Sequence, residues 1–130
     1  MLADLAGVAA ALWGGQVRRS IADRENAVFE ISLPSGRAAL RLRRSGYQDA
    51  EAIESELWWS SSLASAGVAV PAALPSLAGP MLQQLPGGRF ASVIAWVDGA
   101  AIGSSGKPFS APEAELFAQH LSLGRLLAQI

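Results

Sequence analysis

The side chains with most chemistry to offer are arginines and acids in close succession. Arg37, Arg41, Arg43 and Arg44 fall in one short stretch, and Glu51, Glu54 and Glu56 follow it. A guanidinium presents a planar fork of donors that can hold a carboxylate or a phosphate at two points. On alternation alone, however, Arg41 reads as a solvated strand arginine in a basic turn with Arg43 and Arg44. Glu56 likewise reads as an exposed helix acid. A second polar cluster, Asp23-Arg24-Glu25-Asn26, has the composition of a hairpin turn. His120 is the only histidine and there is no cysteine, which excludes a multi-histidine metal site, a thiolate site, a cysteine nucleophile and any disulfide. On an apolar helical stripe, His120 reads as a packed residue and not as a catalyst.

The elements that must position these residues follow from periodicity. Leu2, Leu5, Val8, Ala9, Leu12 and Trp13 recur at helical spacing and Gly14-Gly15 ends the helix. With no basic residue ahead of it, Asp4 inside it and a poor cleavage site, this segment reads as an amphipathic helix and not as a signal peptide. Three strands follow, Val17 to Ala22, Ala27 to Leu33 and Arg37 to Arg43, joined by the turns at 23–26 and 34–36. In the third, Ala39, Arg41 and Arg43 share one face, and Ala38, Leu40 and Leu42 the other. Asp49 is suited to cap a helix that runs to Ala66 and stops at Gly67, with Ile53, Leu57, Trp58 and Leu63 as its apolar stripe. Trp58 and Trp59 are adjacent and cannot share a face, so one is expected in the core. Val68 to Pro80 is extended. Met81 to Leu85 and Arg89 to Val97 make a hairpin around Pro86-Gly87-Gly88. Asp98 to Ser110 reads as a linker, with Asp98-Gly99 as a turn. A last helix is expected from Ala111 or Pro112 with Ser110 as its cap and Leu116, Phe117, His120, Leu123 and Leu127 as its stripe. Hairpins grouped beside a helix argue an α+β fold with a five-stranded antiparallel sheet.

Composition narrows the function classes. The chain has 130 residues, enough for about one domain. It is 51% hydrophobic, which excludes intrinsic disorder. Lys+Arg is 10 against Asp+Glu 11, so no basic excess drives binding to a nucleic-acid backbone. No apolar run reaches the roughly 18 residues of a membrane span. A cytoplasmic location is expected. Only 16% of residues are charged, below the roughly 25% of an average soluble domain, so part of the surface is expected to face a partner.

The words RENAVFEI, AALRLRRSGY, AIESELWW, GVAVPAAL, VIAWVDG and LGRLLAQI, in this order and spacing, resemble the N-terminal part of the aminoglycoside phosphotransferase and choline kinase-like superfamily. The resemblance spans residues 17–130. It implies a protein-kinase-like small lobe over 1–97, made of an N-terminal helix at 1–15 and a sheet with its central helix at 17–97. Residues 98–130 would then be the inter-lobe linker and the start of a large lobe. The implied activity is transfer of the γ-phosphoryl group of ATP to a small-molecule hydroxyl, with Mg²⁺ in the full-length protein. Arg41 matches the third-strand cation, in place of the usual lysine, with Arg43 as its rival in register. Ala39 matches the small residue over the adenine. Glu56 matches the helix acid that would pair with Arg41. Arg24 and Asn26 would touch phosphate from a turn with no glycine, unlike the Gly-rich loop of protein kinases. Ala95, Trp96 and Val97 match the hinge against which adenine would lie. The catalytic and metal-binding aspartates belong to the large lobe, so this chain alone is expected to show no turnover and to self-associate through an exposed apolar face. A non-catalytic kinase-like regulatory or interaction module is the alternative.

Overall fold

A computed structural model describes residues 2–99 and 106–130. The middle of the expected linker, residues 100–105, lies outside the described residues. The chain begins with α1 (Leu2–Ala11), followed by β1 (Gln16–Asp23), β2 (Ala27–Leu33) and β3 (Gly36–Leu42). Then come α2 (Ala50–Ser65), the short β4 (Leu82–Gln84), β5 (Phe90–Ala95) and α3 (Glu113–Leu127). The five strands form one sheet in the order β1-β2-β3-β5-β4, every neighbouring pair antiparallel.

Alternation divides the sheet into two faces. Ala27, Phe29 and Ile31 of β2 stand opposite Leu42, Leu40 and Ala38 of β3, which stand opposite Ala91, Val93 and Ala95 of β5. These make the apolar face, and α1 covers it. The helix reaches the sheet through Ala6, Ala9 and Ala10, all fully buried, because alanine lets two backbones approach closely. Trp13 closes the core, and its indole Nε1 donates to the Leu74 carbonyl at 2.9 Å. Leu77 N donates to the Leu12 carbonyl at 2.9 Å. The end of α1 is thereby tied to the extended segment after α2, which runs along β5 through Leu74 N to Val93 O and Ala95 N to Ala72 O. Gly15 lies so close to β2 that a Cβ there would sit 2.7 Å from Leu33 Cδ2 and 2.9 Å from the Ser32 carbonyl. β1, one of the two edge strands, carries register shifts near Arg18 and Ile21, irregularities that discourage edge-to-edge pairing.

The helix α2 is capped as its sequence suggests. Asp49 Oδ1 accepts from Ala52 N at 2.8 Å. At the other end Gly67, at φ +89°, follows the cap residue Ala66, with Val68 N donating to Leu63 O and Gly67 N to Ala64 O, the paired bonds of a Schellman motif. Ile53 and Leu57 are buried with Ala73 and flanked by Met81, Leu82 and Phe90. This small cluster lies beside the β4–β5 end of the sheet, so the main apolar face is covered by α1 and not by the central helix.

Four local expectations need correction. Trp58 is 70% exposed and Trp59 is exposed as well, because Ile53 and Leu57 set the inward line of α2 and both indoles fall outside it. α3 is preceded by Pro112 in the cap position without a side-chain hydrogen bond, so Ser110 does not cap it. Glu113 and Glu115 in its first turn and Arg125 in its last complement the helix dipole instead. None of the apolar stripe of α3 is buried. β4 and β5 are shorter than the sequence suggests, ending at Gln84 and Ala95. No described helix is long and apolar enough to cross a membrane.

Candidate functional site

The second face of the sheet carries the polar residues. Arg41 lies between Val28 of β2 and Ser92 of β5, its partners in register, and Ala39 lies between Glu30 and Ile94. Glu30 is bound to Arg19 at 3.1 Å and so is engaged on the far side from Arg41. Beyond β3 the chain continues in register for one residue, since Arg43 N donates to Phe90 O at 2.8 Å. The Arg43 side chain therefore returns to the face that holds Arg41.

The acid meets both cations. The packing of Ile53 and Leu57 turns Glu56, three residues after Ile53, toward the sheet. Its carboxylate accepts from Arg43, with Nη1 at 3.1 Å from Oε2 and Nη2 at 3.4 Å from Oε1. Arg41 Nη1 lies 3.6 Å from Glu56 Oε1. The pairing expected for Arg41 is thus an ion contact, while the hydrogen bonds of Glu56 go to Arg43, because the Arg43 guanidinium is nearly enclosed beside α2. Two guanidinium groups share one carboxylate, which leaves a positive charge uncompensated within the trio. Burial holds the Arg41 guanidinium below its ordinary pKa, the Arg43 charge lowers it further, and Glu56 opposes both. A desolvated cation beside a like charge is stabilised by an incoming anion.

Arg41 opens into a cleft of about 620 Å³ lined also by Ala22, Arg24, Glu25, Asn26 and Val28. Three of the residues picked out in the sequence, Arg24, Asn26 and Arg41, therefore share one cleft. The turn is closed on itself by Arg24 N donating to Asn26 O at 3.3 Å, so that amide is already engaged. Ala39 is one step along the same face.

At the other end of this face lie the three residues expected at the hinge. Ala95 pairs with Ala38 on the apolar face, and its N–H is taken by Ala72 O, so neither its side chain nor its amide is presented to the polar face. Trp96 lies beneath the Arg37 guanidinium, 5.9 Å from the ring centroid, and its Nε1 donates to Asp98 Oδ1 at 3.0 Å. Asp98 Oδ1 is also 4.0 Å from Arg37 Nη1. Trp96 is thus held by its own neighbours. Val97 is exposed.

The sequence pointed to the 23–26 turn, through Arg24 and Asn26, but not to Ala22 or Val28 as cleft residues, and did not give Arg43 its bond to Glu56. Val28 was available from alternation, since it shares its face with Glu30. The Arg43 bond depends on how α2 sits against the sheet, which no local pattern encodes.

The model of the phosphotransferase enzyme family matches residues 16–130. The chain belongs to this family. No curated protein matches it. Within the phosphotransferase family match fall the whole sheet, α2 and α3, whereas α1 precedes it. Five antiparallel strands with a helix between the third and fourth form the kinase-like small lobe of such an enzyme.

Proposed function

We propose that the chain is the ATP-binding lobe of a small-molecule O-phosphotransferase, with a lobe boundary near residues 97–98. The observation that carries this reading is Arg41: a half-buried guanidinium, incompletely neutralised, opening into a cleft between the β1–β2 turn and β3. The triphosphate would be held by Arg41, with Arg24 and Asn26 closing over it. Ala39, with Val28 and Ile94 beside it on the same face, would give the base an apolar floor. Trp96 and Val97 would border it, and Ala95 would contribute only through its carbonyl. These residues fit the phosphates of a nucleotide. For its metal the cleft offers one carboxylate, Glu25, and no group of three or more His, Cys, Asp or Glu among the described residues could hold an ion by itself. No step is therefore assigned to Mg²⁺ on this chain.

The labour of phosphoryl transfer would then be divided between two lobes. Positioning and charge neutralisation supply most of the catalysis in such reactions, and this lobe would contribute the donor-side half. The base that accepts the proton of the hydroxyl would come from a large lobe, and the chain alone would bind nucleotide without turnover, in the cytoplasm. The test is a titration of the intact chain with ATP and with adenosine. ATP is expected to bind about tenfold or more tightly than adenosine, and Arg41→Met to abolish the difference. Equal affinities in the unaltered chain would contradict the proposal.

A further inference from the structure

Arg43 has a place in the site that the pairing of one cation with one acid does not require. Its side chain is 5% exposed, against 34% for Arg41 and 39% for Glu56. Its backbone is pinned on both sides, the N–H to Phe90 O and the carbonyl by Arg89 Nε at 3.0 Å. Glu56 stands on a helix that reaches the rest of the molecule through a small cluster, Ile53 and Leu57 on Ala73. Of the three charged residues, Arg43 is the fixed one.

We propose that Arg43 is a positioning residue: it holds the Glu56 carboxylate by three hydrogen bonds from its two terminal nitrogens, so that Arg41 is steadied at 3.6 Å without being neutralised and keeps its charge for the nucleotide phosphates. This inference rests on the nucleotide reading above. The geometry explains why the residue is an arginine. A guanidinium engages both carboxylate oxygens with two nitrogens and leaves Oε1 within reach of Arg41. An ammonium is a point charge and cannot fix the plane of the carboxylate in this way. Without Arg43, Glu56 would be free to close on Arg41 and neutralise it. A purely structural role, in which Arg43 only fastens α2 to the sheet, makes a different prediction, because it acts on the fold and not on the phosphates.

The experiment titrates ATP and adenosine into the intact chain and into R43M, R43K, R41M and the two double variants, with urea unfolding of each to show that it is folded. R43M is expected to weaken ATP about tenfold and R43K by a smaller factor, with adenosine unchanged within about twofold. In the R41M background the Arg43 substitutions are expected to change ATP affinity by less than about twofold, since Arg43 acts through Arg41. If R43M does not fold, R43K carries the comparison. Equal losses for ATP and adenosine, losses that persist in the R41M background, or no loss in a folded variant would overturn the inference while leaving the nucleotide reading intact. Failure of the unaltered chain to bind ATP would overturn that reading and this inference with it.

Discussion

Glu56 serves two arginines of different character, and the two should answer differently to substitution. Arg43 is enclosed, so removing its anion strands a buried cation, which costs about 1–3 kcal/mol. Arg41 is one-third exposed and already opposed by burial and by Arg43. Glu56→Gln is therefore expected to lower the unfolding free energy by about 2 kcal/mol in urea. Arg41→Met should change it by less than about 1 kcal/mol. The reverse order would mean that the carboxylate belongs to Arg41. Alternation in the sequence put Ala39, Arg41 and Arg43 on one face, and that is where they lie. It could not say which arginine takes Glu56. That depends on the seating of α2, through Ile53 and Leu57 against Ala73 and Phe90, contacts between residues far apart in the chain. The same limit applies at Ala95, whose amide is taken by Ala72 from a segment with no strand pattern of its own.

At the scale of elements, the sheet depends on α1 to exclude water from Phe29, Ile31, Leu40 and Val93. The join between α1 and β1 is tight at Gly15, where a methyl group would meet both a side chain and a backbone carbonyl of β2. Gly15→Ala is expected to destabilise the chain by about 1–3 kcal/mol, through displacement of α1 or β1. Trp13→Phe leaves the Leu74 carbonyl without its indole donor and is expected to cost about 1–2 kcal/mol. Chemical denaturation checks both, and a neutral result for both would show that α1 is not integral to the lobe. The strands and turns were legible because alternation and Pro-Ser-Gly or Pro-Gly-Gly clusters are local signals. The cap and C-terminal glycine of α2 were legible for the same reason. The start of α3 was not, since Ser110 offered a plausible cap and the helix begins only after Pro112, where its acids fall in the first turn. Nor did the apolar stripe of α2 reveal that α1, not α2, covers the main face.

Over the whole molecule, a chain that is 51% hydrophobic and 16% charged leaves large apolar side chains on its surface. Trp58, Trp59, Val97, Phe117 and Leu127 are all exposed. Apolar surface of this extent favours association. We expect the isolated chain to sediment as a dimer or larger species at tens of micromolar, and a monomer across that range would contradict this. On the proposed function, the nucleotide lies on the polar face of the sheet. Backbone amide shifts of the isotope-labelled chain, recorded while ATP is added, test it most directly. Perturbations are expected at Arg24, Asn26, Val28, Ala39, Arg41 and Trp96, with α1 unaffected. Perturbations confined to the apolar groove of Leu57, Trp58, Met81 and Leu82, or none at saturating ATP, would contradict the account.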